Sequence, residues 1–240
     1  MTTYQLFAES GPRHRKTMVH VPALLGCVAV GATTEEAIEA TSVAIRAYRS
    51  FLRRHGVAAD PDEPIELDLV DHLTDGEFLG SGSPSLFLPT DAGAMTRDEV
   101  KTLLQRVRWM AEEQAGLLRG LGSASLDAER GEGRPLRRMV QHVIGAHAAY
   151  PASLFGAVPG ASAAITAVER STGSAAELLA AADRVRLLIA QRLASLTDAE
   201  LGAQRVRGSK PYTLRKVARR IAEHEWEHLA ELARRQGSPL

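Results

Sequence analysis

An α+β fold, with a small β-sheet and helix first and an all-α up-and-down four-helix bundle after it, is predicted by three observations in this 240-residue chain. Short apolar runs divided by turn residues fill the first part, a glycine- and proline-rich stretch follows, and amphipathic helical repeats occupy the remainder. The boundaries this implies are an α+β domain over 1–75, a linker over 76–95 and a helical bundle over 96–240.

The elements follow in order. Tyr4 to Ala8, Met18 to Val21 and Cys27 to Val30 are expected strands, divided by Ser10-Gly11-Pro12-Arg13 and by Pro22 with Gly26. Thr33-Thr34-Glu35-Glu36 offers a capping box, with Thr33 accepting from the Glu36 amide and the Glu36 side chain reaching back. The helix it opens repeats Ile38, Ile45 and Leu52 on one face and stops at Gly56. Ile65, Leu67 and Leu69 alternate with Glu66 and Asp68, as a half-buried fourth strand should. Gly76, Gly80, Gly82, Pro84, Pro89 and Gly93 then mark the linker.

Four bundle helices are expected beyond it. Thr96-Arg-Asp-Glu99 caps the first, whose stripe is Val100, Leu103, Leu104, Val107, Ala111 and Leu118. The second runs from Leu136 to about Tyr150, with Pro135 in the first turn and Pro151 at its end. Ser174-Ala-Ala-Glu177 caps the third, with Leu178, Ala182, Val185, Ile189 and Leu196 inward, and Thr213 begins the fourth. Long connections between them fit a bundle.

Composition excludes several classes. A hydrophobic fraction of 45% and a charged fraction of 24% belong to an ordinary globular chain. The formal net charge of zero gives no electrostatic case for nucleic acid or an anionic membrane, and the basic run Arg215, Lys216, Arg219, Arg220 is expected to be a solvated helix face. No apolar stretch is long enough to span a bilayer and no signal pattern opens the chain, so a cytoplasmic location is expected. The single cysteine, Cys27, sits in an apolar run and reads as a small buried hydrophobe.

Val19-His-Val-Pro-Ala-Leu-Leu-Gly-Cys-Val-Ala-Val-Gly-Ala-Thr-Thr-Glu-Glu-Ala-Ile-Glu-Ala resembles the HicB-like antitoxin domain over about residues 3–72. That family has a strand ending in Pro, an apolar link to Gly, a second strand, then Gly and Thr opening a helix. Antitoxin members usually carry an added DNA-binding segment. Neither a helix-turn-helix nor a ribbon-helix-helix candidate follows Leu69, so no sequence-specific DNA binding is expected.

The chemistry concentrates in His224-Glu225-Trp226-Glu227-His228. Histidines at i and i+4 lie above one another on a helix face and can grip one ion. Against this, both share a stripe with Leu214, Val217, Ile221 and Leu232, and each could be a core histidine satisfied by a carboxylate; a pair at ligand spacing favours the metal. The five residues also match the H-E-x-x-H pattern of zinc peptidases, with Glu225 as general base. No histidine follows His228, and Glu231 lies close to it on the same helix, so a third ligand is expected upstream.

His142 and His147 are the candidates. Periodicity about Val143 puts His147 in the buried stripe and His142 on its flank beside Met139 and Ala146. Pro135-Leu-Arg-Arg-Met-Val-Gln-His-Val-Ile-Gly-Ala-His-Ala-Ala-Tyr resembles the single-histidine helix of DinB/YfiT-like proteins, and the last helix resembles their closing His-x-x-x-His helix, over about residues 96–236. The resemblance implies a divalent metal, zinc or nickel, held by His142, His224 and His228; His147, where family members commonly have an acidic residue, is read as lying beside the site or facing substrate. It also implies a metal-activated thiol or water.

Three neutral imidazoles leave a tetrahedral ion one open position, as in catalytic zinc sites. The enzyme reading is therefore a metal-dependent thiol transferase or hydrolase, with a small-molecule substrate and a low-molecular-weight thiol as partners and Glu225, Glu227 or His147 assisting. For Glu227, exposure and pairing with Arg219, Arg220 or Lys216 is the stronger expectation. Trp226 lies off the inward stripe and is expected at the domain junction; Trp109 is expected to pack. The competing reading is a non-catalytic binding or regulatory protein whose bundle the metal stabilises. A homodimer is the candidate assembly.

Overall fold

In the computed structural model, which describes residues 1–129, 133–238 and 240, the expected strands form one sheet. β1 (Thr2–Ser10), β2 (Thr17–His20), β3 (Val28–Gly31) and β4 (Ile65–Leu73) are ordered β3-β2-β1-β4. β1 pairs antiparallel with β2 and parallel with β4, where the register shifts between Leu6 and Phe7. α1 (Thr34–Arg54) packs on β2 and β3 and buries Ile45, Tyr48, Phe51 and Leu52. Thr33 caps it through the Glu36 amide as expected; Glu36 reaches one residue further back, to the Ala32 amide.

Four long helices follow: α2 (Arg97–Leu118), α4 (Leu136–Phe155), α6 (Ala175–Ala194) and α8 (Leu214–Arg235). Capping boxes at Thr96–Glu99 and Ser174–Glu177 open α2 and α6, and Thr213 caps α8. Their apolar stripes enclose one core that includes Leu103, Val107, Ile144, Val185, Ile189 and Ile221. Among the described residues no helix is long and apolar enough to cross a membrane.

Several features depart from expectation. Pro151 does not end α4: the helix runs on to Phe155 and stops at Gly156, whose φ of 84° favours glycine. Proline forfeits one helical bond and sterically opposes the preceding turn, yet bonding resumes at once, with the Gly156 amide on the Ala152 carbonyl. Three short helices were not foreseen, α3 (Ser123–Asp127), α5 (Ala161–Glu169) and α7 (Asp198–Leu201), nor was the hairpin of β5 (Gln204–Arg207) and β6 (Lys210–Thr213). β5 is exposed throughout, so no alternation betrays it.

The stretch 76–95 carries a single 3-10 turn, Pro89–Asp91, and is packed rather than free. Leu86 and Leu88 cover Phe7, and Glu9 accepts the Ser83 amide at 2.8 Å. Gly82, with φ of 86°, admits the Arg220 guanidinium against its backbone, where an added Cβ would stand 1.7 Å from Nη2. This stretch covers the basic run of α8, and the expectation of a solvated face there is corrected: Lys216, Arg219 and Arg220 are buried. Asp91 meets Arg219 at 2.7 Å, Glu223 meets Arg219 and Arg220 at 2.9 and 2.6 Å, and Lys216 Nζ donates to the Pro84 and Pro211 carbonyls. His20 of β2 completes the group, its Nδ1 2.8 Å from Glu223.

Trp226 lies where α8 meets the sheet domain, as expected, 4.6 Å edge-on to Tyr48 and 5.4 Å from Phe51 between ring centres. With Leu229 and Met110 it joins the apolar cluster of the sheet and α1. Only 1% of Trp226 is exposed, against 69% of Val43 on α1. Trp226→Ala is therefore expected to cost about 3–5 kcal/mol, and Val43→Ala to stay within about 0.5 kcal/mol. Urea denaturation at matched metal content measures both, and equal losses would contradict the junction packing.

Candidate metal centre

Two helices bring the three expected histidines together. His224 and His228, one turn apart on α8, face the seam with α4, and His142 leans across from the second turn of α4. Their candidate ligand nitrogens all lie within 4.8 Å of one another. Nε2 of His224 and Nε2 of His142 stand 3.1 Å apart. Bonds of about 2.0–2.1 Å to a tetrahedral ion require nitrogens about 3.3 Å apart, so this pair is already at ligand separation and His228 needs a small inward rotation. His224 and His228 are buried and His142 is exposed, which leaves the cluster open to solvent on the α4 side.

The electrostatics suit ligation, which requires neutral imidazoles. Burial, then the neighbouring His228, lowers His224 to about 2. Although His142 is exposed as a residue, its ring edge is packed against His224 and His228; burial, then the Arg134 charge, lowers it to about 4. His228 Nδ1 is 2.9 Å from Glu231 Oε2, which holds the proton on Nδ1 and leaves Nε2 free to ligate. Arg235 in turn holds Glu231 at 3.2 Å. Glu231 was weighed only as a ligand; its position three residues after His228 was the available sign of an orienting role. Nδ1 of His224 is buried without a hydrogen-bond partner among the described residues.

His147 is not part of this cluster. It lies buried in the core with Nδ1 2.9 Å from Glu225 Oε1, though off the line of a straight hydrogen bond. Glu225 points to the same core: Arg186 of α6 grips both its oxygens at 3.1 and 3.0 Å, and Gln114 of α2 accepts from Arg186 at 2.8 Å. Burial raises the Glu225 carboxyl, but the Arg186 charge and His147 outweigh it and hold the group below the usual carboxylate range. A carboxylate so enclosed faces away from the imidazole cluster. Glu227 is half-buried. Gln114 was legible as a polar residue interrupting the stripe between Ala111 and Leu118; Arg186, beside Val185, gave no comparable sign.

Beyond the cluster, the Tyr150 ring lies 6.0 Å from His224, and its hydroxyl accepts from Arg220 Nη2 at 3.3 Å. Cys27 is buried in the apolar cluster of the sheet and α1, and burial, then the Glu223 charge, pushes its thiol up, so the reading as a buried hydrophobe stands.

Comparison with known proteins supplies one match, the DinB superfamily, whose family model covers residues 106–232. No curated protein and no solved structure matches the chain.

Proposed function

The chain belongs to the DinB superfamily, whose members usually bind a divalent metal, and from that premise we propose that His142, His224 and His228 hold one such ion, zinc or nickel, and activate a low-molecular-weight thiol or water toward a small-molecule electrophile. The observation that carries the reading is the convergence of three imidazoles from two helices with one side open, two of which, His142 and His224, burial holds toward the neutral form. A divalent ion in such a set keeps an open position and lowers the pKa of a thiol or of water.

The chain's own groups fill the remaining roles. Glu231 orients His228, and the exposed His142 marks the side from which substrate enters. Tyr150, whose oxygen already accepts from Arg220, keeps its O–H to donate to an electrophile's oxygen. Glu225 is not the base in this reading: its oxygens are committed to Arg186 and His147, which also removes the support for a zinc peptidase.

A second reading, a metal-stabilised binding protein without turnover, is favoured by one observation. α8 carries both the imidazole pair and the buried Arg219 and Glu223, the latter meeting His20 of β2 and so fastening the helix to the sheet, so an ion joining α4 to α8 would also fix the sheet domain. That domain is proposed to be HicB-like, from the order strand, Pro22, Gly26, strand and Thr33-capped helix.

The cobalt-substituted protein separates the two. Added 2-mercaptoethanol is expected to produce sulfur-to-cobalt charge-transfer absorption, and His142→Ala to abolish it. A spectrum unmoved by thiol, with no metal-dependent hydrolysis of simple esters, amides or phosphates, would leave the binding-protein reading.

A further inference from the structure

α2 and α6 run antiparallel: Arg97 at the start of α2 donates to the Leu196 carbonyl just past the end of α6, and Arg186 donates to Gln114 near the other end of α2. Between these ties the two helices do not close, and a cavity of about 650 Å³ remains, the volume of a small-molecule site. Leu104 and Val107 of α2 and Leu187 and Ala190 of α6 make its walls apolar. The lining runs from Asp183 to Ala194 on α6, about 16 Å of helix, so the space follows the helix axes and suits a chain better than a compact ring. Leu187 on its rim is 50% exposed, apolar surface that such a chain would take out of water. The three imidazoles of the metal cluster do not line it, so this is a separate site.

Charge on the lining gives the cavity a direction. Arg97 and Lys101 stand where α2 begins, whereas Arg108, Glu112, Asp183 and Arg186 stand further along. In that further part each charge has an opposite one beside it, Arg108 with Glu112 at 3.4 Å and Arg186 with Asp183 at 3.5 Å. Arg97 is likewise held by Asp198 at 2.6 Å. Lys101 has no carboxylate partner among the described residues, so the one lining charge left unanswered is an ammonium near the start of α2.

We propose that this cavity binds a single-chain amphiphile with an anionic head, a medium-chain alkyl carboxylate, with its chain laid between α2 and α6 and its head at Lys101. A cationic head would meet Lys101 at one end and Arg108 and Arg186 toward the other, and a neutral head would forgo the ion pair. Lys101 is exposed, and water and salt screen its charge, so it adds only a few-fold in affinity. The apolar walls supply most of the binding, and the lysine selects the head.

The test is displacement of 11-dansylaminoundecanoate, whose fluorescence rises on leaving water, from the full chain by dodecanoate, dodecanol and dodecyltrimethylammonium, each below its micelle concentration. The wild type is expected to bind dodecanoate about threefold more tightly than dodecanol and about tenfold more tightly than the ammonium, the worth of one exposed charge acting in each direction. Lys101→Glu should reverse the order of the two charged amphiphiles and leave dodecanol unchanged. Ala190→Phe, which fills the cavity, should abolish probe binding while circular dichroism stays native. Chelation should change no affinity, because no proposed metal ligand lines the cavity. An unchanged order in Lys101→Glu, probe binding that survives Ala190→Phe, or dodecanoate binding lost on chelation, which would put the carboxylate on the metal, would each overturn the proposal. So would the absence of probe binding by the wild type; if the chain is then a dimer that Ala190→Phe dissociates, a second copy covers the cavity instead.

Discussion

His224→Ala is expected to take the bound divalent metal from about one ion per chain to near zero, because a site of three imidazoles has no spare ligand to replace the one lost. His228→Ala should do the same, and His142→Ala should weaken occupancy at least as far as dialysis can reveal. Glu231→Gln should be milder, a loss of about 10–100-fold in affinity, since the amide can no longer hold the His228 proton as a carboxylate does. His147→Phe should leave metal content unchanged, because His147 stands with Glu225 rather than with the cluster. Metal analysis of protein prepared without a histidine tag, paired with chelator competition, reads all five. Full occupancy in His224→Ala and His228→Ala would defeat the metal assignment. Retention in His142→Ala together with loss in His147→Phe would move the third ligand to His147.

The same measurement has a consequence for stability. A ligand that binds only the folded chain adds RT ln(1 + [L]/Kd), about 4.1 kcal/mol at a thousandfold excess over Kd. The wild type should therefore melt at a lower temperature after chelation, and His224→Ala should be insensitive to the chelator. A metal that bridged α4 and α8 without stabilising the chain would not fit the geometry of the cluster.

What the sequence disclosed follows how local each signal is. The His224–His228 pair is one helical turn long, and its meaning depends only on α8 being a helix. The strands around Leu6 and Val19 and the boxes at Thr96–Glu99 and Ser174–Glu177 are equally local, and each appears within a residue or two of its expected place. His142 came from resemblance, because periodicity assigned burial to His147 and could not say which flank of α4 would meet α8; the structure buries His147 and brings His142 to the pair.

The basic run of α8 shows where such reasoning stops. Arg215, Lys216, Arg219 and Arg220 have the spacing of a solvated face, and what buries three of them is contributed by Asp91, by the Ser83 region and by His20, all more than a hundred residues away. Read alone, a helix does not reveal what will be laid over it. Glu223 is the local hint: three and four residues after Arg220 and Arg219, it can pair with both at once, and burial makes that pairing obligatory.

Glu225→Ala is expected to cost about 3–5 kcal/mol of folding stability, the usual consequence of removing one partner from a buried ion pair. Three things combine to make it large. Arg186, 7% exposed, loses the carboxylate that satisfies its Nε and Nη2; Nδ1 of His147 loses its neighbour; and among the described residues the buried guanidinium keeps Gln114 at 2.8 Å and the largely exposed Asp183 at 3.5 Å. The pair itself need not be strongly stabilising, because desolvation opposes the attraction. The double variant Arg186→Met with Glu225→Leu should therefore recover most of the loss, leaving the two singles far from additive. A general base serving the ion would be dispensable for folding, so Glu225→Gln would then leave stability intact while removing activity. A core carboxylate predicts a lowered unfolding midpoint in Glu225→Ala and near-normal metal occupancy in whatever fraction remains folded. If Glu225→Ala unfolds at the wild-type urea concentration, the buried Arg186–Glu225–His147 group is not what holds this end of the helices together.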